Sequence, residues 1–255
     1  MIYAGYGKGW ATNKSCGCAL LFGKRFKEKN IVKQWVLEGP GQGRGIAVRA
    51  ASGYFDFTPI VCYFPPRPRQ RKQLPRYLSV VQKVANWVRA VLDESCSTTT
   101  PILLCGLNDG VGLQKLEDGT HWFDEQLACI TEEAASIEQY EGGSGSMLRH
   151  ILSDHDMQAT SVMMDNRPTW FGCKGKKSLL DHACLPAGLQ EAVVSGGPLA
   201  KLGRILQLVD TAAMADHIPT HVKFKYLLEH PTVERTCRGD DNLIDDENCE
   251  VKWDR

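Results

Sequence analysis

The sequence predicts an α/β fold, in which helices cover the faces of a β-sheet. The chain has 255 residues, 43% of them hydrophobic, which is enough to bury one sizeable core. An apolar strand at 57–64, a helix at 75–94 and a second apolar strand at 101–105 follow one another, as is typical of an α/β layer. Short apolar runs separated by glycine and proline indicate further strands.

The first part of the sheet is predicted from three short apolar runs. Residues 16–22 form the first strand, and residues 31–37 and 46–50 form the next two, which the glycine-rich turn 39–45 connects. This turn does not predict a phosphate-binding loop, because strand-like residues follow it where such a loop needs a helix. The strand at 57–64 ends before Pro65, which places Tyr63 at a strand end.

The clearest helix is predicted over 75–94. Its apolar residues recur at intervals of three and four, and Pro75 suits the first turn of a helix. The strand at 101–105 then leads into a polar turn that contains Asn108 and Asp109. From 111 to 146 we expect surface excursions, because this segment ends in a Gly- and Ser-rich stretch of loop composition.

The last part of the chain predicts a short amphipathic helix and further strands. Leu148, Ile151 and Leu152 indicate the helix, 178–182 reads as a strand-like run that ends in Asp-His, and strands follow at 204–209 and 220–226. Beyond 230 the chain is polar and acidic and offers too little apolar surface to fold. We therefore divide the chain into a domain at 1–228 and a disordered tail at 229–255.

Composition limits the classes of function. Lys and Arg total 30 and Asp and Glu total 30, so any basic surface that attracts nucleic acid must be local. The loop 67–72 is such a surface, although loops of this composition are more often only solvated. The start of the chain lacks the apolar core of a signal peptide, and no apolar run reaches transmembrane length. We expect a soluble, nuclear or cytoplasmic protein that does not bind membranes.

The cysteines predict packing rather than chemistry. There are 10 of them, without the Cys-x-x-Cys spacing of a zinc or redox site. Several lie in apolar runs, where a free thiol behaves as a small hydrophobic group. We interpret them as reduced core residues.

Two Asp-His pairs are the strongest candidates for a functional site. Asp181 precedes His182, and Asp216 precedes His217 in a turn. If both segments reach one end of a sheet, carboxylates for a hard cation meet an imidazole that handles protons or phosphate charge. This combination predicts phosphodiester chemistry, although each residue can also serve as a turn former at a strand end.

Four segments, in order, resemble motifs of the endonuclease/exonuclease/phosphatase superfamily. They are Tyr-Phe-Pro at 63–65, Cys-Gly-Leu-Asn at 105–108, Leu-Asp-His at 180–182 and Ala-Asp-His-Ile-Pro at 215–219. The family counterparts are a tyrosine at a strand end, Gly-Asp-x-Asn, Ile-Asp-His/Tyr and Ser-Asp-His-x-Pro. The resemblance implies a four-layered α/β sandwich, with two packed, mostly antiparallel sheets flanked by helices. Thr169-Trp170 ahead of Asp181 looks most like non-LTR retrotransposon endonucleases.

The resemblance also implies a role for each residue. Tyr63 would hydrogen-bond the phosphate, Asn108 would orient the scissile group, and Asp181 would position His217. His217 would stabilise the developing phosphorane charge or move a proton, and Asp216 would hold Mg²⁺ or Mn²⁺. The residues expected to contact DNA are Arg67, Arg69, Arg71, Thr169 and Trp170. No small-molecule cofactor is implied.

Two departures from the family pattern predict impaired activity. Gly106 occupies the position of the aspartate that activates water in the family, and glycine has no side chain to do so. Asp109 is the only nearby carboxylate, but it projects from a different point of the turn. The family also begins with strands that carry an Asn and a metal-binding Glu. Glu28 and Glu38 lie in the wrong context to replace that Glu. We therefore expect an N-terminally truncated domain that lacks the family's opening Asn and metal-binding Glu.

Three functions therefore compete. The first is a Mg²⁺-dependent DNA endonuclease, impaired at Gly106. The second is a non-catalytic nucleic-acid- or protein-binding remnant of a retroelement, with DNA contacts at 67–76 and 174–177. A sugar or lipid phosphatase on the same fold ranks last, because the sequence has no apolar membrane loop or headgroup motif.

Overall fold

The chain forms an α/β sandwich centred on one six-stranded sheet. The computed structural model describes residues 2–5, 17–23, 26–68, 70–95, 99–111, 113–115, 121–123, 143–165, 167–171, 177–199 and 217–225. The longest helix packs on one face of the large sheet, and a two-stranded ribbon near the start of the chain packs on the other. This arrangement confirms the predicted fold class.

The strands are short, and most pair with a neighbour in sequence. In chain order they are β1 (Ile2–Gly5), β2 (Gly17–Leu20), β3 (Ile31–Val36), β4 (Gly45–Ser52), β5 (Phe55–Tyr63), β6 (Thr100–Gly106), β7 (Leu113–Lys115), β8 (His121–Phe123), β9 (Met157–Gln158), β10 (Trp170–Phe171), β11 (Lys177–Ser178), β12 (Asp181–Pro186), β13 (Val193–Pro198) and β14 (Thr220–Phe224). The large sheet has the order β3-β4-β5-β6-β12-β9. All its neighbouring strands are antiparallel except β5 and β6.

The parallel pair β5 and β6 requires a crossover, and helix α1 (Leu74–Ser95) provides it. The apolar stripe of α1 includes Val84 and Val88, which pack on Ile60 and Leu103 of the sheet, and all four are fully buried. Complete burial of one such side chain contributes about 1.5–3 kcal/mol. The helix predicted over 75–94 is thus confirmed, with one more residue at each end.

Two shorter helices lie in the described part of the chain. Helix α2 (Gly143–Asp154) packs against α1, and α3 (Thr160–Met164) lies against β12 and β13. No helix in the described part of the chain is long and apolar enough to cross a membrane.

The second face of the large sheet is covered by two ribbons. The β1–β2 hairpin packs on β4 and β5, and the β13–β14 pair approaches β12 through β14. Cys18, Leu20, Ile46 and Val48 form a small buried cluster between the first ribbon and the sheet. The described cysteines that are free and buried are Cys18, Cys62, Cys105 and Cys184, which confirms their interpretation as core residues.

The loop predicted to end at 146 is wrong in its last four residues, since α2 already begins at Gly143. Asp109 stabilises this start: its Oδ2 atom accepts hydrogen bonds from the Ser144 amide at 3.3 Å and the Ser144 hydroxyl at 3.0 Å. A carboxylate that accepts from the first amides of a helix is a favourable N-terminal cap. The cap outweighs the low helix propensity of glycine and serine.

The strand predicted to end in Asp-His instead begins there, since β12 runs forward from Asp181. Ala183, Cys184 and Leu185 supply its buried apolar residues, and His182 is also buried. Because β12 is antiparallel to β6, its first residue meets the last residue of β6.

Several predictions fall outside the described residues. These are the strand at 204–209, the acidic tail at 229–255, and the candidate residues Arg69 and Asp216. The division at 228 stays a prediction.

Candidate functional site

Three neighbouring strands reach one edge of the large sheet in a single row. Tyr63 at the end of β5 lies opposite Gly106, and Gly106 at the end of β6 lies opposite Asp181. The ladder continues beyond the row, where the Phe64 amide donates to the Gly106 carbonyl at 2.8 Å. Directly paired residues project to the same face of a sheet, so this register brings all three positions together.

A pocket of about 400 Å³ lies above this row. Val61, Leu104 and Ala183 contribute to its apolar floor, and residues 17–19 of β2 and 217–220 before and within β14 form its walls. Asp181 and His217 line one end of it, together with Tyr63. The pocket is therefore an apolar slot with an Asp-His pair at one end.

Asp181 and His217 are directly hydrogen-bonded. The Nδ1 atom of His217 lies 2.8 Å from Oδ2 of Asp181, and the two side chains are 42% and 28% exposed. An ionised carboxylate can only accept, so Nδ1 carries the proton and the ring orientation is fixed. Asp181 and His217, one residue from each Asp-His pair of the sequence, are thus in direct contact.

Thr169 connects both halves of that pair. Its hydroxyl accepts hydrogen bonds from the amides of Leu180 at 3.0 Å and Asp181 at 3.1 Å, and its carbonyl accepts from the Ile218 amide at 2.6 Å. Thr169 is fully buried, so the predicted contact with DNA is not available to its side chain. Thr169 instead fixes the backbone beside Asp181 and beside His217.

Asn108 and Asp109, adjacent in the turn after β6, both make structural contacts. Asn108 has a left-handed backbone with φ of 56°, and its Nδ2 donates to the Phe64 carbonyl at 2.7 Å. Asp109 accepts from the Gly110 amide at 3.1 Å and caps α2 through Ser144. Burial raises the pKa of the Asp109 carboxyl, and the hydrogen bonds from Ser144 and its neighbours oppose that rise.

Gly106 is closely surrounded. A Cβ atom at this position would lie 3.1 Å from Cδ2 of Tyr63 and 3.5 Å from Oδ1 of Asp181. The first distance is shorter than ordinary van der Waals contact, so any side chain at 106 must displace the tyrosine ring. The ring thus takes up the space beside Asp181 where a side chain at 106 would begin.

The remaining predicted contact residues lie around the site. Arg67 and Arg71 are exposed in the segment between β5 and α1, and Trp170 forms an isolated antiparallel bridge with His217. His182 is only 3% exposed and, by strand alternation, faces the helical layer, opposite Asp181. Of the two histidines in the Asp-His pairs, only His217 is oriented by a carboxylate among the described residues.

The described residues alone do not fit a metal centre. Magnesium requires oxygen ligands and is commonly held by one or two carboxylates with several waters. Asp181 is the only carboxylate that lines the pocket in the described chain, and one of its oxygens is bonded to His217. The described residues contain no group of three His, Cys, Asp or Glu side chains that could hold a metal.

Sequence analysis did not identify Arg44. Its backbone carbonyl accepts from the Tyr63 amide at 2.9 Å, and its guanidinium lies 5.3 Å from the centre of the Tyr63 ring. The only signal in the sequence is its place directly before a strand, which does not reveal its partner on β5.

Comparison with solved structures identifies the fold. An AP endonuclease from Archaeoglobus fulgidus is 12% identical, with a TM-score of 0.50, over 77% of this chain and 71% of that one. An AP endonuclease from Leishmania major is 12% identical over 72% of this chain, with a TM-score of 0.49. A 3′ phosphatase from Neisseria, solved with a product DNA hairpin, is 14% identical over 72% of this chain, with a TM-score of 0.45. The chain spans 55% of the Leishmania protein and 66% of the Neisseria protein.

The fold and the row of strand ends define an α/β sandwich of the endonuclease/exonuclease/phosphatase type. The resemblance seen in the sequence is thus confirmed at the level of fold. No protein-family model matches the chain, and no curated protein matches it.

Proposed function

We propose that this domain acts on the phosphodiester backbone of DNA, as a hydrolase weakened by Gly106. The hydrogen bond between His217 and Asp181 at the pocket carries the proposal. An imidazole whose Nδ1 proton is held by a carboxylate has a fixed orientation and tautomer, which suits proton transfer or stabilisation of an oxyanion. The Archaeoglobus protein of the same fold is named an endonuclease, which supports the same class of reaction.

The polar residues of the site then have defined tasks. The Tyr63 hydroxyl hydrogen-bonds a phosphate oxygen, and His217 donates a proton to the leaving oxygen or to a phosphorane oxygen. Asp181 keeps His217 in the required tautomer. Asn108 acts through the strand ends, because its amide group is bonded to the Phe64 carbonyl that follows Tyr63.

The Mg²⁺ or Mn²⁺ requirement rests on Asp216. Asp181 alone is a weak site for a hard cation, and Asp216 is the adjacent carboxylate in the sequence of the His217 turn. The roles of Tyr63 and His217 given above do not depend on the ion.

Gly106 supports the second candidate, a domain that binds DNA without cleaving it. In this structure no side chain at 106 can activate water, and the described alternative, Asp109, caps α2. Removal of one catalytic group commonly lowers the rate by about 10²–10⁴-fold. Arg67 and Arg71 supply exposed positive charge beside the row, as a binding function requires.

Cleavage of supercoiled and abasic-site DNA with Mg²⁺ tests the proposal. The wild-type chain is compared with His217→Ala and with His150→Ala, which removes an exposed histidine on α2 as a matched control. Cleavage that His217→Ala abolishes and His150→Ala retains supports a hydrolase. Cleavage that appears only in Gly106→Asp assigns the defect to that position. DNA binding without cleavage by any of these variants supports the second candidate, and the absence of binding and cleavage contradicts both.

A further inference from the structure

Arg44 directly precedes β4 and lies opposite Tyr63. Gly45 pairs with Cys62 in the antiparallel register, so the next pair outward is Arg44 and Tyr63, and the Tyr63 amide donates to the Arg44 carbonyl at 2.9 Å. Paired residues on antiparallel strands project to the same face. The row of strand ends therefore has a fourth member and reads Arg44, Tyr63, Gly106, Asp181.

The backbone that carries Arg44 is held rigidly. A Cβ atom on Gly45 would lie 2.6 Å from Cζ3 of Trp87 on α1, so the chain at this point runs directly against the indole ring. Gly43, on the other side of Arg44, has φ of 81°, which side-chain-bearing residues rarely adopt. This turn is thus specified by its neighbours, and it presents Arg44 at a fixed point of the row.

The side chain of Arg44 rests on an aromatic ring. Its guanidinium carbon is 5.3 Å from the centre of the Tyr63 ring, within the range of a cation–π contact. Arg44 is half-buried and its Nη1 atom is inaccessible, so a phosphate oxygen would meet the other donors at the edge of the guanidinium plane. The charge is permanent, since arginine stays protonated in proteins.

The row therefore carries polar groups at both ends. A guanidinium lies at one end, the Asp181–His217 pair lies at the other, and the phenol of Tyr63 lies between them. Arg44 does not line the pocket, so its cation extends the site beyond the pocket on the far side of Tyr63. A nucleic acid strand that lies along the row would bring one of its phosphates close to this cation.

We propose that Arg44 binds a backbone phosphate of the nucleic acid next to the one at Tyr63, with the tyrosine ring holding its guanidinium in place. This assignment rests on the proposed function, since it requires a nucleic acid in the site. It gives Tyr63 two tasks, which are a hydroxyl for one phosphate and a platform for the cation that binds the next. A purely structural Arg44 would cover the ring without contacting a ligand.

The test is binding of a labelled DNA duplex, measured by fluorescence anisotropy in EDTA at salt concentrations between about 50 and 200 mM. The proteins are the wild-type chain, Arg44→Met, Arg44→Lys and Arg89→Met. Arg89 lies on α1, pairs with Asp154 at 3.7 Å and provides the matched loss of one charge on the helical layer. Thermal unfolding of each variant is recorded in parallel.

We expect Arg44→Met to weaken binding about tenfold and to lower the slope of log affinity against log salt by about 0.9, as for one lost phosphate contact. Arg44→Lys keeps the charge and therefore the slope, with an intermediate affinity, and Arg89→Met matches the wild type. An unchanged slope in Arg44→Met overturns the proposal, whatever the affinity, and so does an equal loss in Arg89→Met. Wild-type protein that does not bind DNA overturns the proposed function together with this inference.

Discussion

Asp181 and Asp109 lie at the same edge of the same sheet, yet they are used in opposite ways. Asp181 starts β12, lines the pocket and orients His217. Asp109 lies three residues beyond Gly106, the register partner of Asp181, and turns away to cap α2. A carboxylate near a strand end therefore lines a pocket or caps a helix according to which groups lie within its reach.

The difference comes from the donors around each carboxylate. Asp109 meets backbone amides and the Ser144 hydroxyl, which together satisfy a helix start. Asp181 meets an imidazole, while its own amide is taken by Thr169. Variants at the two positions should consequently affect different properties, with Asp181 altering chemistry and Asp109 altering stability.

The largest expected effect is on cleavage in Asp181→Asn. The amide keeps the size of the side chain but removes the charge that holds the His217 proton, so Mg²⁺-dependent DNA cleavage should fall about 10²–10⁴-fold. The free energy of unfolding should change by less than about 1 kcal/mol, because the pair is partly exposed. The substitution is made in the protein that cleaves DNA, which is either the wild type or Gly106→Asp, and cleavage is compared with that parent protein.

The control for Asp181→Asn is Asp109→Asn, which should leave cleavage unchanged. Equal activity in Asp181→Asn and its parent protein would contradict the role given to the Asp181–His217 pair. An equal loss in Asp109→Asn would instead show that the turn after β6 contributes to the site directly.

The second effect is on stability, in Thr169→Val. Valine has nearly the same shape but leaves the buried amides of Leu180 and Asp181 without their acceptor, which should cost about 2–5 kcal/mol of unfolding free energy. Thr58→Val is the matched control, because Thr58 is also fully buried but its hydroxyl makes a single long hydrogen bond of 3.5 Å to Thr99. Denaturant unfolding that gives similar losses for both variants would show that the Thr169 hydroxyl is not the link between the two halves of the site.

The sequence predicted those parts of the fold that depend on local pattern. The stripe of α1 and the apolar run of β6 were located to within one residue at each end, because periodicity and flanking turns specify them. The start of α2 was missed because its cap, Asp109, is 35 residues away from Ser144. Its glycines and serines carry no local signal for a helix.

The candidate site shows the same division. Motif order pointed to Tyr63, Asp181 and His217, and the structure places them at one pocket. The burial of Thr169 and the place of Arg44 opposite Tyr63 depend on strand register and on long-range hydrogen bonds. Neither of these is encoded in residue spacing, so the sequence alone could not assign them.

A third prediction places a second carboxylate beside Asp181. Gly106→Asp must push the Tyr63 ring aside and brings like charges together, so we expect a loss of about 1–3 kcal/mol in EDTA. Mg²⁺ should recover part of this loss, since a cation that binds only the folded protein stabilises it. Gly106→Asn controls for size and should lose less stability in EDTA, because it displaces the ring without adding a charge, and it should be insensitive to Mg²⁺. Identical Mg²⁺ responses in the two variants would contradict a cation site beside Asp181.

The smallest effect concerns Asp109 itself. Asp109→Ala removes the cap of α2 and should cost about 1 kcal/mol, whereas Asp109→Asn keeps a carbonyl acceptor for the Ser144 amide and should cost less. Urea unfolding at several pH values separates the cap from the charge. A loss in Asp109→Asn as large as that in Asp109→Ala would show that the carboxylate charge, rather than its acceptor geometry, holds the helix start.

The contribution of Asp109 to stability should also depend on pH. Burial raises the pKa of Asp109 in the folded state, so its contribution to stability is present below the unfolded pKa of about 3.9 and is lost as pH rises through the folded pKa. The stability of the wild type relative to Asp109→Asn should therefore fall as pH rises above the unfolded pKa of about 3.9. Asp165 provides the opposite case, because the hydrogen bond from Arg167 lowers its pKa. The stability of the wild type relative to Asp165→Asn should therefore increase as pH rises through the acid range. Parallel slopes for the two variants would contradict the assignment of Asp109 as a buried cap, since burial dominates at Asp109 and the Arg167 cation dominates at Asp165.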